Sequence, residues 1–198
     1  KNPELWKLAL AYSHYLNSEY SPAQKGLDSV MAKDSSLQSL KKTLSLLLKL
    51  ESDSAPDVEL SFTTSMTALD SMDQQRSEGT RDVLYARLAQ YLMRNNRPGA
   101  ALLSDSLRQY QDWGNAGFLE RRSEGELQIL LNYYRQTSPG ILDRFLRVKV
   151  PISPAHIVTR LACRKAKNLK FEEAAALFSG VSDPAFTYDF VGNHGPLQ

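Results

Sequence analysis

A chain of 198 residues, 42% hydrophobic and 23% charged, has the length and mix of one folded domain with a continuous core. A formal net charge of +2 excludes the globally basic balance of a nucleic-acid carrier. The single cysteine, Cys163, excludes an internal disulfide framework and argues against a zinc cluster.

Asn2-Pro3 predicts a helix start: the Asn side chain can accept from free first-turn amides, and Pro is preset for the first helical position. Leu5, Leu8, Ala9, Tyr12 and Leu16 follow at helical spacing. Residues 17–20 read as a turn, and Ser21-Pro22-Ala23 opens a second helix with Leu27, Val30 and Met31 on its apolar face. Beyond Asp34-Ser35-Ser36, Leu37, Leu40, Leu44, Leu47 and Leu48 form a third stripe. After Asp53-Ser54-Ala55-Pro56, the residues Val58, Phe62, Met66 and Leu69 fit a fourth helix, although its many Ser and Thr have poor helix propensity.

Residues 74–80 read as a polar loop ahead of a strongly periodic segment, 83–93. Asn95-Asn96-Arg97-Pro98-Gly99 has turn composition, and residues 100–110 read as the next helix. Residues 111–117 read as a loop in which Trp113 needs cover. Ser123-Glu124-Gly125-Glu126 has the spacing of a capping box ahead of Leu127, Leu130, Leu131 and Tyr134. Ser138-Pro139 opens a short helix with Leu142, Phe145 and Leu146, residues 148–152 are compatible with an extended segment, and Ser153-Pro154-Ala155 begins the helix that carries Leu161-Ala162. A further helix holds Ala174 and Phe178, and past Gly180 an irregular tail offers Phe186, Tyr188 and Phe190 for packing. The reading is all-α, with short turns that force antiparallel neighbours.

No apolar run approaches the roughly 18 residues of a membrane helix. No signal-peptide pattern opens the chain, and residue 1 is Lys rather than Met. The expectation is a soluble protein, cytoplasmic or, if a processed fragment, of the periplasm or cell envelope.

Chemistry is sparse. His14, His156 and His194 show no metal-ligand spacing, and Cys163 reads as a small core residue. Glu172-Glu173 suits a helix N-terminus. Gly192-Asn193-His194-Gly195 is too short for a phosphate-cradling loop. No catalytic residue, cofactor or metal site is expected, and the chain reads as a non-enzyme. Charge is uneven: eight cations from Arg144 to Lys170 face no acid in that run, whereas Glu51 to Asp82 holds eight acids against Arg76 and Arg81. Arg160, Arg164 and Lys167 share one helical face, which reads either as a surface for an acidic partner, anionic lipid or RNA, or as an ordinary solvated face. The lack of interleaved aromatics makes nucleic acid the weaker version.

Helix pairs that cannot bury their faces alone suggest a stacked array. Leu10-Ala11, Leu88-Ala89 and Leu161-Ala162 are each followed, twelve residues after the alanine, by another alanine: Ala23, Ala101 and Ala174. The leucine anchors stand 78 and 73 residues apart, two repeat lengths each, with intervening units near 37–72 and 123–147. In the latter, Ile129, Ile141 and Phe145 keep the spacing with larger residues. This pattern resembles the tetratricopeptide repeat family, most closely in Leu161, Ala162, Ala174 and Phe178. The resemblance implies a right-handed superhelix (α-solenoid) of about five antiparallel helix pairs over residues 1–182, with 183–198 as an irregular tail. It also implies a concave wall lined by the first helix of each pair, at Tyr12, Tyr15, Gln90, Met93, Arg94, Cys163, Ala166 and Lys167, where a protein or peptide partner would bind.

The expected function is therefore a non-enzymatic interaction or scaffold module. Two rivals are a helical accessory domain of a larger bacterial envelope protein or enzyme, and a compact helical enzyme or ligand-binding protein with a pocket near His156 and His194.

Overall fold

The structure is a computed structural model that describes residues 2–33, 35–51, 58–70, 74–108, 117–150 and 152–179. All regular secondary structure among the described residues is helical. The helices are α1 (Pro3–Leu16), α2 (Tyr20–Asp28), α3 (Ser35–Glu51), α4 (Val58–Asp70), α5 (Gln74–Arg94), α6 (Pro98–Leu107), α7 (Glu124–Tyr134), α8 (Ile141–Lys149), α9 (Pro154–Lys167) and α10 (Phe171–Ser179). Residues 117–120 add a helical turn.

Starts are written locally. The Glu4 amide donates to Asn2 Oδ1 at 3.1 Å, ahead of Pro3. Ser123 and Glu126 form the expected capping box, the Glu126 amide donating to Ser123 Oγ (3.3 Å) and the Ser123 amide to Glu126 Oε2 (2.8 Å). Burial pushes the Glu126 carboxyl up, but Ser123 and Arg122 outweigh it and hold the group below its ordinary value. Ser153 caps α9 in the same way, with His156 as its reciprocal partner.

Three hairpins share one turn. Ser18, Asn96 and Leu169, each eight residues beyond its anchor Leu10, Leu88 or Leu161, all adopt positive φ, at 62°, 55° and 61°. In each, the following amide reaches back five residues: Glu19 to the His14 carbonyl (2.8 Å), Arg97 to Leu92 (2.8 Å), Lys170 to Lys165 (2.9 Å). This left-handed cap satisfies carbonyls that the helix end leaves open. Leucine is a poor occupant of that conformation, and Leu169 is 76% exposed, so it gains little from packing. Leu169→Gly is expected to stabilise the chain by about 1 kcal/mol, read as a higher urea midpoint at unchanged slope.

Small residues bring these hairpins close. Ala11, Ala23, Ala101, Ala162 and Ala174 are all buried. A Cβ added at Gly26 of α2 would stand 3.1 Å from the Ala11 Cβ of α1. α1 packs on α2, α3 on α4, α5 on α6 and α9 on α10. The fourth pair differs: α7 packs on α6 and α9, while α8 lies on α4 and α6. Ile129 and Ile141 stand where the other hairpins have buried alanines, and Ile141 is exposed here. α7 and α8 meet through long side chains. Arg147 donates to the Tyr133 carbonyl at 2.5 Å and stacks its guanidinium over the Tyr133 and Tyr134 rings. Burial pushes the Tyr134 phenol up to about 12.

The contact of α8 with α4 skips over the α5–α6 hairpin. Phe62 of α4 is fully buried between the Tyr85 ring of α5 (5.8 Å between centroids) and the edge of Phe145 of α8 (6.2 Å). Arg97, in the α5–α6 turn, pairs with Glu59 of α4 and donates to Asp143 Oδ1 of α8 at 2.7 Å. Burial draws the Arg97 pKa down, but Glu59 and Asp143 reverse this and leave it above the usual arginine value.

Several expectations are corrected. Residues 74–80 are the first turns of α5, not a loop. Their Gln, Arg and Glu are sound helix formers, and polarity alone does not separate a loop from a solvated helical turn. Residues 148–152 are not simply extended: α8 runs to Lys149, and Val150 and Ile152 are buried. The helix expected from Ser138-Pro139 starts at Ile141, where Asp143 Oδ2 accepts from the Gly140 amide at 3.2 Å. Met31 lies beyond the end of α2 and is 70% exposed. Leu10 is exposed, whereas its counterparts Leu88 and Leu161 are buried. Trp113 and the aromatic residues of the tail lie outside the described residues.

Candidate functional site

The first helices of the first three pairs lie side by side, α1 against α3 and α3 against α5. Between them runs a cleft of about 540 Å³, lined by Leu5 and Tyr12 of α1, Leu40 and Leu44 of α3, and Thr80 and Val83 of α5. Leu44 is buried and forms its floor, while Leu5, Tyr12, Leu40 and Val83 keep large apolar surfaces exposed along its rim. An exposed apolar strip of this kind is a common mark of an interaction surface.

A polar cluster adjoins Tyr12. Glu51 ends α3, where the negative end of the helix dipole disfavours a carboxylate, and three side chains from neighbouring helices converge on it. The Tyr15 hydroxyl donates to Glu51 Oε1 at 3.2 Å, and Arg87 and Arg94 approach the carboxylate at 3.3 and 3.7 Å. Arg94 also donates to the Leu50 carbonyl at 2.5 Å, satisfying a helix-end acceptor. Arg87 donates to Gln90 Oε1 at 3.1 Å and lies over the Tyr15 ring. Tyr15 stacks with Tyr12 at 6.1 Å between centroids. Burial, followed by the repulsion of Glu51, pushes the Tyr15 phenol well above its ordinary range despite the nearby Arg87 cation. With one carboxylate and two guanidiniums the cluster is cationic. The side chains of Arg87 and Arg94 are 38% and 42% exposed, so both charges face solvent next to the apolar cleft.

Tyr12, Tyr15, Gln90 and Arg94 are thus brought together. Tyr12 lines the cleft, Tyr15 is buried and holds Glu51, and Gln90 and Arg94 flank it. Glu51 and Arg87 were missed. The signal for Glu51 was its position as the sole acid of α3, at the end where a carboxylate needs cationic partners.

Arg160, Arg164 and Lys167 are not part of this cluster: they stand on α9, which packs on α7 and α10. Arg160 donates to Glu120 Oε1 at 2.7 Å and Arg164 to the Glu120 carbonyl at 2.5 Å, while Lys167 is exposed. Lys165 pairs with Glu124 at 2.8 Å and with Glu173, and these bonds raise its pKa and lower those of both carboxyls. Three cations of the eight-cation run, Arg160, Lys165 and Lys170, are therefore matched by acids from outside it.

Among the remaining candidates, Cys163 is half-buried and Met93 is exposed. His14 meets Glu19 at 2.5 Å, His156 serves the α9 cap, and His194 lies outside the described residues. No group of described His, Cys, Asp or Glu residues is arranged to hold a metal ion. No described helix is long and apolar enough to cross a membrane.

In comparisons with protein-family models, curated proteins and solved structures, nothing matches the chain.

Proposed function

We propose that this chain is a non-enzymatic protein-interaction module, built as a tetratricopeptide-like superhelix whose first helices hold a partner segment. The cleft shared by α1, α3 and α5 carries this reading: its lining is mostly apolar, and the Glu51 cluster with Arg87 and Arg94 adjoins it beyond Tyr12. Such a surface suits a peptide or partner helix with apolar side chains in the cleft and an acidic group or chain-terminal carboxylate beside the guanidiniums. The repeated turn and the buried alanines support the superhelical part of the proposal.

Selection of a random peptide display library on the intact chain tests it. Enrichment of apolar segments that carry an acidic group is expected. Leu40→Glu is expected to weaken the enriched peptides about tenfold or more, because it places a charge in the apolar contact. Enriched peptides indifferent to both Leu40→Glu and Val83→Glu, in variants with unchanged circular dichroism, would overturn the proposal.

A further inference from the structure

α3 has a second working face. Leu40, Leu44 and Leu47 turn toward the apolar cleft, and on the opposite side Lys41, Lys42, Ser45 and Lys49 turn toward α4. There they line a separate cleft of about 480 Å³, whose other wall is Leu60, Ser61, Thr64 and Ser65. Its described lining contains three lysines, five hydroxyl or amide side chains, and neither Asp nor Glu. Glu59, the neighbouring acid of α4, is turned away to Arg97. Lys41 is held in place by donating to the Val30 carbonyl at 2.7 Å, and Lys49 donates across the cleft to Ser61 Oγ at 3.4 Å. Three of the Ser and Thr that weaken α4 as a helix former, Ser61, Thr64 and Ser65, thus stand on the side that meets the lysines, while Val58, Phe62, Met66 and Leu69 fill the core.

We propose that this cleft is an oxyanion site for a phosphate-bearing small molecule. Lysine ammonium groups act as point charges toward phosphate, and hydroxyl groups supply the further donors that its several oxygens accept. Leu60, 56% exposed, leaves an apolar surface for an organic body, and the volume lies within the roughly 300–1,000 Å³ usual for small-ligand sites. The site is on the opposite side of α3 from the partner cleft and stands independently of the function proposed for it.

Calorimetric titration of the intact chain with inorganic pyrophosphate tests the site. Saturable binding is expected, weakened about tenfold or more by Lys42→Gln combined with Lys49→Gln, the loss of at least one charge-assisted hydrogen bond. Lys25→Gln, on α2, is the control and is expected to bind as the parent does. Vesicles of phosphatidylglycerol, compared with phosphatidylcholine alone, form the second arm. Binding only to the anionic vesicles, lost in the double variant, would keep the phosphate chemistry and assign it to a lipid headgroup. Absence of binding in both arms would overturn the site, as would binding unchanged in a double variant with parental circular dichroism.

Discussion

Phe62→Ala is expected to destabilise the chain by about 4 kcal/mol, the cost of removing a fully buried ring and leaving a cavity. Three helices meet on that ring: α4 carries it, α5 contributes Tyr85 and α8 contributes Phe145. Neighbours cannot collapse easily into the space, because Arg97 holds α4 and α8 at fixed separation beside it. Urea denaturation followed by circular dichroism measures the effect as a lower midpoint at constant slope. Phe62→Leu, which keeps most of the volume, should lose only about 1 kcal/mol. Equal effects of the two substitutions would contradict the packing of α8 on α4.

Arg97→Met is expected to cost about 3 kcal/mol. It removes the cation between Glu59 and Asp143 and leaves the buried Asp143 carboxylate uncompensated. The figure is set at the low end of the range for buried pairs because Arg97 and Glu59 each keep about a third of their side-chain surface in water. Asp143 also retains the Tyr133 hydroxyl at 3.0 Å and the Gly140 amide. A double-mutant cycle makes the claim specific. Asp143→Asn should destabilise the parent, yet stabilise the Arg97→Met variant by removing the stranded charge. The same sign in both backgrounds would mean that Asp143 acts through its hydrogen bonds alone.

Much of the fold was legible because its causes are local. Helical periodicity located Leu84, Leu88 and Leu92 on one buried face. The Ser123–Glu126 box and the Asn2-Pro3 start needed only their neighbours along the chain. The spacing of Ala11 to Ala23 and its two counterparts marked hairpins that the structure builds with the same turn. What was not legible depends on partners distant in sequence. The cationic run on α9 looked unopposed because Glu120, Glu124 and Glu173 lie outside it and reach it only through folding. In the candidate site, Tyr12, Tyr15, Gln90 and Arg94 were named from the resemblance. Glu51, which joins them, lies 36 residues from Tyr15 and has no helical pattern of its own. The placement of α8 on α4 left no trace in periodicity either: Ile129, Ile141 and Phe145 kept the repeat spacing and pointed to a fourth ordinary pair.

That placement has a mechanical consequence. In a simple stack each hairpin grips only the ones beside it, so strain at one end peels the units off in order. Here α4, α5, α6 and α8 form a closed ring of contacts, and no single hairpin in it can swing away without breaking two seams at once. The α1–α2 hairpin is fastened chiefly to α3, and the α9–α10 hairpin chiefly to α7. A tug from either terminus would therefore loosen an outer hairpin first and leave the central ring standing, along with the lysine-lined cleft against one of its members.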